Sequence, residues 1–217
     1  MIHLCFHGVG VPVREREPGE SRYWISRELF ARVLDEVDGR DDVRLSFDDG
    51  NRSDVETALD AVLAHGRTAT FFVIAGRLDR PDSLSAGDVR ALRDAGMTIG
   101  THGMDHVPWR GLSPADEQRE LVDARQVLAE VVGASVDEAA FPLGRYERAS
   151  LTTLRRLGYR HVFTSDRQPS EPGSWLQHRF SLRSDDTLEG LRAEVLTTQP
   201  RPRLAFGRIK TAVKRLR

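Results

Sequence analysis

The feature that most constrains this chain is an alternation. Short apolar or β-branched runs recur between longer stretches whose apolar residues return every three or four positions. Parallel neighbours need a crossover between them, and an amphipathic helix makes one while burying its own apolar face. The pattern therefore predicts an α/β fold with a largely parallel sheet or barrel. Its strands are expected at Ile2 to His7, Val43 to Phe47, Thr70 to Ile74, Met97 to Thr101, Glu138 to Phe141, Tyr159 to Thr164 and Arg179 to Leu182. Helices are expected over Ser26 to Val37, with Leu29, Phe30, Val33, Leu34 and Val37 on one face, and over Ser53 to His65. Ser85 to Ala95 reads the same way. Ser113-Pro114 followed by acidic residues opens a long helix that runs to Val132 and stops at Gly133, and another spans Glu147 to Leu157. The segments Gly8 to Arg22 and Gln168 to Gly173 mix turn formers without periodicity and read as loops.

At 217 residues the chain fits one domain. Residues 1–200 are expected to form it, and 201–217 to be a separate tail. In that tail Leu204, Phe206, Ile209, Val213 and Leu216 alternate with Arg208, Lys210, Lys214, Arg215 and Arg217, the pattern of a basic amphipathic helix. Such a helix either makes weak contact with an anionic membrane surface or packs on the domain with its basic face in water. The 32 basic and 33 acidic residues give a formal charge of -1, which argues against nucleic acid as a partner. A single cysteine, Cys5, excludes an intrachain disulfide and a thiolate metal cluster. The opening MIHLCFHGVG has no basic leader and is too short to span a bilayer, so the chain reads as cytoplasmic, with a peripheral membrane contact through the tail.

Chemistry concentrates where strands end. Ser46-Phe47-Asp48-Asp49-Gly50 sets two carboxylates at the end of the second strand, beside a glycine able to turn the chain. Alone this is a common turn. His102-Gly103-Met104-Asp105-His106 follows the fourth strand, and histidines so spaced can reach one metal ion. Combined, one aspartate and two histidines supply three ligands and leave a position for water, as in a catalytic zinc site. Successive strand residues face opposite ways, but curvature at a strand end can bring both aspartates to one pocket, one to ligate and one to accept a proton. A third turn, Phe141-Pro142-Leu143-Gly144-Arg145-Tyr146, can aim a backbone N–H at the same place.

In this order the motifs resemble the polysaccharide deacetylase family, also called NodB-homology or carbohydrate esterase family 4. Ser46 to Gly50 is similar to its Thr-Phe-Asp-Asp-Gly and His102 to His106 to its His-Ser/Thr-x-x-His, within a resemblance over most of residues 1–185. It implies a distorted (β/α) barrel of about seven parallel strands, with Asp49, His102 and His106 as ligands of one divalent metal ion and Asp48 as general base. Zinc is the ion that best suits such ligands. Three positions depart from the family pattern. Ala140 stands where the family has an arginine that orients the catalytic aspartate, Leu143 replaces an aromatic whose N–H helps hold the oxyanion, and Gly103 replaces Ser or Thr. The leaving amine needs an acid. Leu176-Gln177-His178 matches the family's late Leu-x-His motif, whereas Leu4-Cys5-Phe6-His7-Gly8 resembles the exopolysaccharide branch, whose histidine motif is shifted to the first strand. First and last strands are neighbours in a closed barrel, so His7 is the expected acid and His178 the alternative. His3, His65 and His161 are given no role.

The resemblance implies a metal-dependent N-deacetylase, a hydrolase of carbon–nitrogen bonds other than peptide bonds. Its substrate would be the acetamide of an N-acetylhexosamine in a glycan, glycolipid or glycoconjugate precursor. A cytoplasmic location favours a sugar held on a nucleotide, a polyprenyl carrier or a natural-product precursor, and to the carrier form the tail could add a weak contact. Two rival readings stand beside this: a deformylase or other amide hydrolase on the same site, and a non-catalytic binding descendant of the fold.

Overall fold

The computed structural model describes residues 1–197. Its strands in chain order are β1 (Ile2–Phe6), β2 (Gly8–Val9), β3 (Trp24–Ile25), β4 (Val43–Asp49), β5 (Ala69–Val73), β6 (Thr98–Thr101), β7 (Glu138–Ala140), β8 (His161–Thr164), β9 (Leu176–His178) and β10 (Phe180–Ser181). Eight of them form one sheet in the order β10-β1-β4-β5-β6-β7-β8-β9, and every pairing in it is parallel. The two sheet ends, β9 and β10, are joined through the single residue Arg179. The sheet is thus curled into a nearly closed (β/α) barrel, one of the two forms the alternation of runs allows and the one the family resemblance implies.

Two expectations need correction. Arg179 to Leu182 is not one strand. Leu176–His178 pairs with β8, Phe180–Ser181 pairs with β1, and the chain steps from one sheet edge to the other at Arg179. Gly8 to Arg22 is not wholly loop either, because Gly8–Val9 pairs in parallel with Trp24–Ile25 and a 3₁₀ turn covers Glu20–Tyr23. The Trp24 indole lies where a Cβ on Gly8 would be, 2.2 Å away, so only glycine lets these strands approach. The tail expected from residue 201 onward, and the domain boundary before it, lie outside the described residues.

The helices begin where short polar side chains can satisfy their first N–H groups. Ser26 caps α1 (Arg27–Glu36) by accepting from Leu29 N–H. α2 (Leu59–Ala64) follows a π-helical turn, Asp54–Ala58. Ser85 and Asp88 form a reciprocal capping box at α3 (Ala86–Asp94). Ser113 caps α4 (Pro114–Glu117), which continues through a second π-helical turn, Gln118–Asp123, into α5 (Ala124–Val132), and left-handed Gly133 ends the run. α6 (Arg148–Arg156) and α7 (Leu188–Glu194) complete the set.

Side-chain alternation sorts the strands into two environments. Phe6, Phe47 and Phe71 face the helices and stack on one another against Phe30, all fully buried. Fully buried Phe72 and Ala140 meet Phe163 in a separate apolar cluster, over which the Arg179 guanidinium lies. Gly100 leaves room for the Phe72 ring, which a Cβ there would meet at 2.5 Å. Among the described residues no helix is long and apolar enough to cross a membrane.

Candidate active site

The carboxyl ends of the strands open into a cleft of about 480 Å³, lined by residues that include His7, Asp48, Asp49, His102, His106 and Leu143. Five of the sequence-predicted residues converge within side-chain contact, and backbone geometry explains how. Alternation alone would send Asp48 and Asp49 to opposite faces of β4, but Asp49 takes φ 76°, in the left-handed region. That turn swings its carboxylate back. Its Oδ1 lies 3.6 Å from His102 Nε2 and 3.4 Å from His106 Nε2, while Asp48 Oδ2 is 3.8 Å from the same His102 nitrogen. His106 (φ 59°) and Leu143 (φ 56°) are left-handed as well. Three non-glycine residues at one cleft are therefore held in a conformation that costs about 1–3 kcal/mol each, strain that the packing around the cleft maintains.

Both histidines of the His-Gly-Met-Asp-His segment are oriented through Nδ1. His102 donates Nδ1–H to the Ala140 carbonyl at 2.9 Å, and His106 donates to the Glu17 carboxylate at 2.8 Å. Each Nε2 is left facing Asp49 Oδ1, where it could coordinate an ion. Burial lowers His102 to about 4, so it is neutral at ordinary pH. Burial also works against charge on His106, but the hydrogen bond it donates to Glu17 and the charge of Asp49 outweigh it and raise its pKa. Asp49 Oδ1 is buried and accepts no hydrogen bond, although it faces two imidazole nitrogens. A buried carboxylate oxygen without a donor is expensive unless a cation completes it. One ligand atom from each of Asp49, His102 and His106 lies within 4.8 Å of the others, so this group fits a divalent ion. Cys5, His7 and Asp48 satisfy the same distance test, but Asp48 is already paired with Arg179 and burial pushes the Cys5 thiol far up.

Asp48 is 1% exposed, and Arg179, fully buried, grips both its oxygens at 2.6 and 2.7 Å while also donating to Ser46 Oγ. Burial would raise this carboxyl, but the guanidinium and the neighbouring histidines hold it well below the usual carboxylate range. In the sequence Arg179 marks only the start of an expected strand. It occupies the interior near Ala140, from the opposite sheet edge, and supplies the arginine that position 140 lacks. No local motif announces it. Glu17 was likewise hidden in an expected loop.

Gly103 finds its explanation here too. A Cβ on it would lie 2.2 Å from Glu120 Oε2, and Glu120 accepts from Met104 N–H, Asp105 N–H and Trp109 Nε1–H. The histidine segment is steadied by the Glu120 carboxylate together with the Thr101 hydroxyl, which accepts from Gly103 N–H at 3.1 Å. Glu120 and Asp54 are each buried on one of the two π-helical turns, the kind of irregularity that often redirects a side chain toward a site. Neither carboxyl oxygen of Asp54 has a hydrogen-bond partner among the described residues, and burial beside Asp49 and Asp48 pushes its pKa well up.

His7 lines the cleft with Nε2 4.0 Å from Asp48 Oδ2, and its ring lies 4.8 Å from that of Tyr23. His178 is placed elsewhere. It is buried outside the cleft lining, with Nδ1 2.9 Å from Thr164 Oγ1 and 3.5 Å from the Asp166 carboxylate. Leu143 sits half-exposed at the cleft's edge. Of the histidines given no role, His3 is buried and lowered to about 4 by that burial, while His65 and His161 pair with Asp35 and Glu138.

A nearly closed parallel barrel with its polar cluster at the carboxyl ends of the strands places the chain among the (β/α) barrels that keep their site in the loops at that end. Comparison with known proteins narrows the class. The family model described as polysaccharide deacetylase matches residues 35–162, and the chain belongs to that family. It is 26% identical over 132 residues to the inferred polysaccharide deacetylase YxkH of Bacillus subtilis (strain 168), a match covering 61% of this chain and 46% of that one. The match thus spans about half the length of that curated relative. Among solved structures, the Streptococcus pyogenes deacetylase PplD in complex with acetate has a TM-score of 0.78 at 19% identity, covering 92% of this chain and 98% of its own. A de-N-acetylase from Aggregatibacter actinomycetemcomitans has 0.75 at 14% identity, covering 89% and 99%. At such identities these likenesses establish the fold.

Proposed function

We propose that the chain is a metal-dependent N-deacetylase that hydrolyses the acetamide of an N-acetylhexosamine in a glycan, glycolipid or glycoconjugate precursor. One observation carries the reading: an unpartnered, buried Asp49 oxygen faces two Nε2 atoms beside a second, ionised aspartate and a third histidine, all in one cleft. Asp49, His102 and His106 would hold the divalent ion, with zinc the best match to the ligands. When bound, the ion supplies Lewis-acid polarisation of the amide carbonyl and makes water easier to deprotonate.

The remaining work falls to the protein's own groups. Asp48, kept ionised and fixed by Arg179, accepts the proton of the attacking water. The Leu143 N–H, at the cleft's edge, is the proposed donor to the oxygen that becomes negative as the carbonyl turns tetrahedral. His7 donates a proton to the nitrogen as the C–N bond breaks, leaving acetate and a free amine. Its place in the cleft, against that of His178 outside the lining, is what favours it as the acid. That PplD is described in complex with acetate, and the Aggregatibacter protein as a de-N-acetylase, agrees with acetyl as the group removed.

The test is acetate release from N-acetylhexosamine oligomers by the metal-loaded protein. Asp48→Asn is expected to keep the metal and lose activity by roughly 10²–10⁴-fold, as for removal of a general base. Full turnover by that variant would overturn the assignment. His7→Ala should lower activity by roughly 10²–10⁴-fold while His178→Ala should not, and the reverse result would transfer the acid role. Formate release from N-formyl sugars, exceeding acetate release, would favour the deformylase reading.

A further inference from the structure

The charges around the cleft do not balance. Four acidic residues line it, and each is engaged: Glu17 with Arg77 and His106, Glu20 with Arg16, Asp48 with Arg179, and Asp49 between the two imidazoles. Four arginines on the same lining, Arg22, Arg145, Arg167 and Arg183, form no ion pair among the described residues. They come from four separate segments: the turn before β3, the turn after β7, the loop after β8 and the residues after β10. The chain as a whole carries a formal charge of -1, so this local excess of cations does not reflect general basicity.

We propose that the cleft recognises its sugar through an attached phosphate or pyrophosphate, held by these arginines beside the reacting centre. The inference rests on the deacetylase reading and narrows its substrate class. Guanidinium groups favour phosphate because the planar fork matches two oxygens at once, and a cleft concentrates the attraction of several such groups. A single carboxylate on the sugar would leave most of this charge unanswered, whereas a pyrophosphate diester brings about two negative charges and several acceptor oxygens. Distance fits as well. The Arg183 guanidinium lies 5.9 Å from the Tyr23 ring, whose centroid is 4.8 Å from that of His7, which puts a cation one ring beyond the proposed acid. The buried Nε of Arg183 has no acceptor among the described residues. Arg167 spends one N–H on the Ser181 carbonyl, which braces its guanidinium and leaves the other donors available.

The experiment compares one N-acetylhexosamine in three forms: its neutral methyl glycoside, its nucleoside-diphosphate ester, and its polyprenyl pyrophosphate in uncharged-lipid vesicles. The expected result is a preference of about 100-fold or more in kcat/KM for a pyrophosphate form over the glycoside, an advantage that shrinks with added salt. Which of the two pyrophosphates is better identifies a soluble or a lipid-borne source. Arg183→Gln and Arg145→Gln should each raise KM for the preferred form on the order of tenfold, the size of one charge-assisted contact. Arg148→Gln, outside the cleft, should not. Equal kcat/KM for all three forms, or KM values unmoved by both cleft substitutions, would overturn the proposal. If no form is turned over, deacetylation itself fails, and the anion site is read separately by calorimetric titration of inorganic pyrophosphate. Weakening by tenfold or more in the Arg145→Gln/Arg183→Gln double variant supports the site, and an unchanged Kd refutes it.

Discussion

Replacing Arg179 with methionine tests the least anticipated contact in the site. The substitution keeps an unbranched side chain between the Phe72 and Phe163 rings, which lie 5.0 and 5.7 Å from the guanidinium, so packing is largely retained while the charge is lost. What remains is Asp48, 1% exposed and stripped of the donors that hold both its oxygens. Removing one partner of a buried pair costs about 3–5 kcal/mol, because the other charge is left uncompensated. At roughly 2–4 °C per kcal/mol for a domain of this size, the melting temperature should fall by roughly 6–20 °C. Urea denaturation at neutral pH measures the free energy directly. Asp48→Asn in the Arg179→Met background should recover part of the loss, since the uncompensated charge is then gone. The pH dependence carries its own sign. In the wild type the Asp48 pKa is depressed below 3.8, so its stabilisation is full above that value and lost as pH falls through the folded-state pKa. In the variant burial, the largest influence on this carboxyl, is opposed only by the neighbouring histidines, so the pKa rises and the penalty is greatest at neutral pH and relieved by acidification. The gap between the two proteins should narrow from pH 7 toward pH 4. Equal stability at neutral pH, or a loss that neither Asp48→Asn nor acid relieves, would refute the reasoning.

Other changes probe the frame around the cluster. Glu17→Gln removes the carboxylate that orients and polarises His106, and should weaken metal affinity about 10–100-fold in chelator competition, whereas unchanged affinity would show that Glu17 serves only Arg77. Because the His106 pKa is raised and its proton must leave before a metal binds, affinity should rise with pH through that value, and the rise should begin at lower pH in the same variant. Gly103→Ala puts a Cβ 2.2 Å from Glu120 Oε2 at φ 83°, so a loss of about 1–3 kcal/mol is expected by denaturation, and a neutral outcome would mean that the segment has slack the structure does not show.

The sequence by itself determined what short-range chemistry can specify. Periodicity set the alternation of strands and helices, Ser26, Ser85 and Ser113 marked helix starts, Gly133 marked a stop, and Asp48-Asp49 with His102 and His106 marked a strand-end cluster. Each signal works within a few residues, through hydrogen bonds or steric limits of the local backbone. Tertiary structure decided the rest. That Asp49 turns into the same cleft as Asp48 depends on a left-handed φ, which aspartate adopts more readily than most residues but which the local sequence does not require. That Arg179 answers for Ala140 depends on barrel closure, which joins the sheet edges at one residue and brings it to Asp48 from 131 positions away. Glu17 reaches His106 across 89 positions, from the segment between β2 and β3. A carboxylate or guanidinium in a loop or short strand looks like surface until the fold buries it, and burial is what converts an ordinary charge into one that must find its partner.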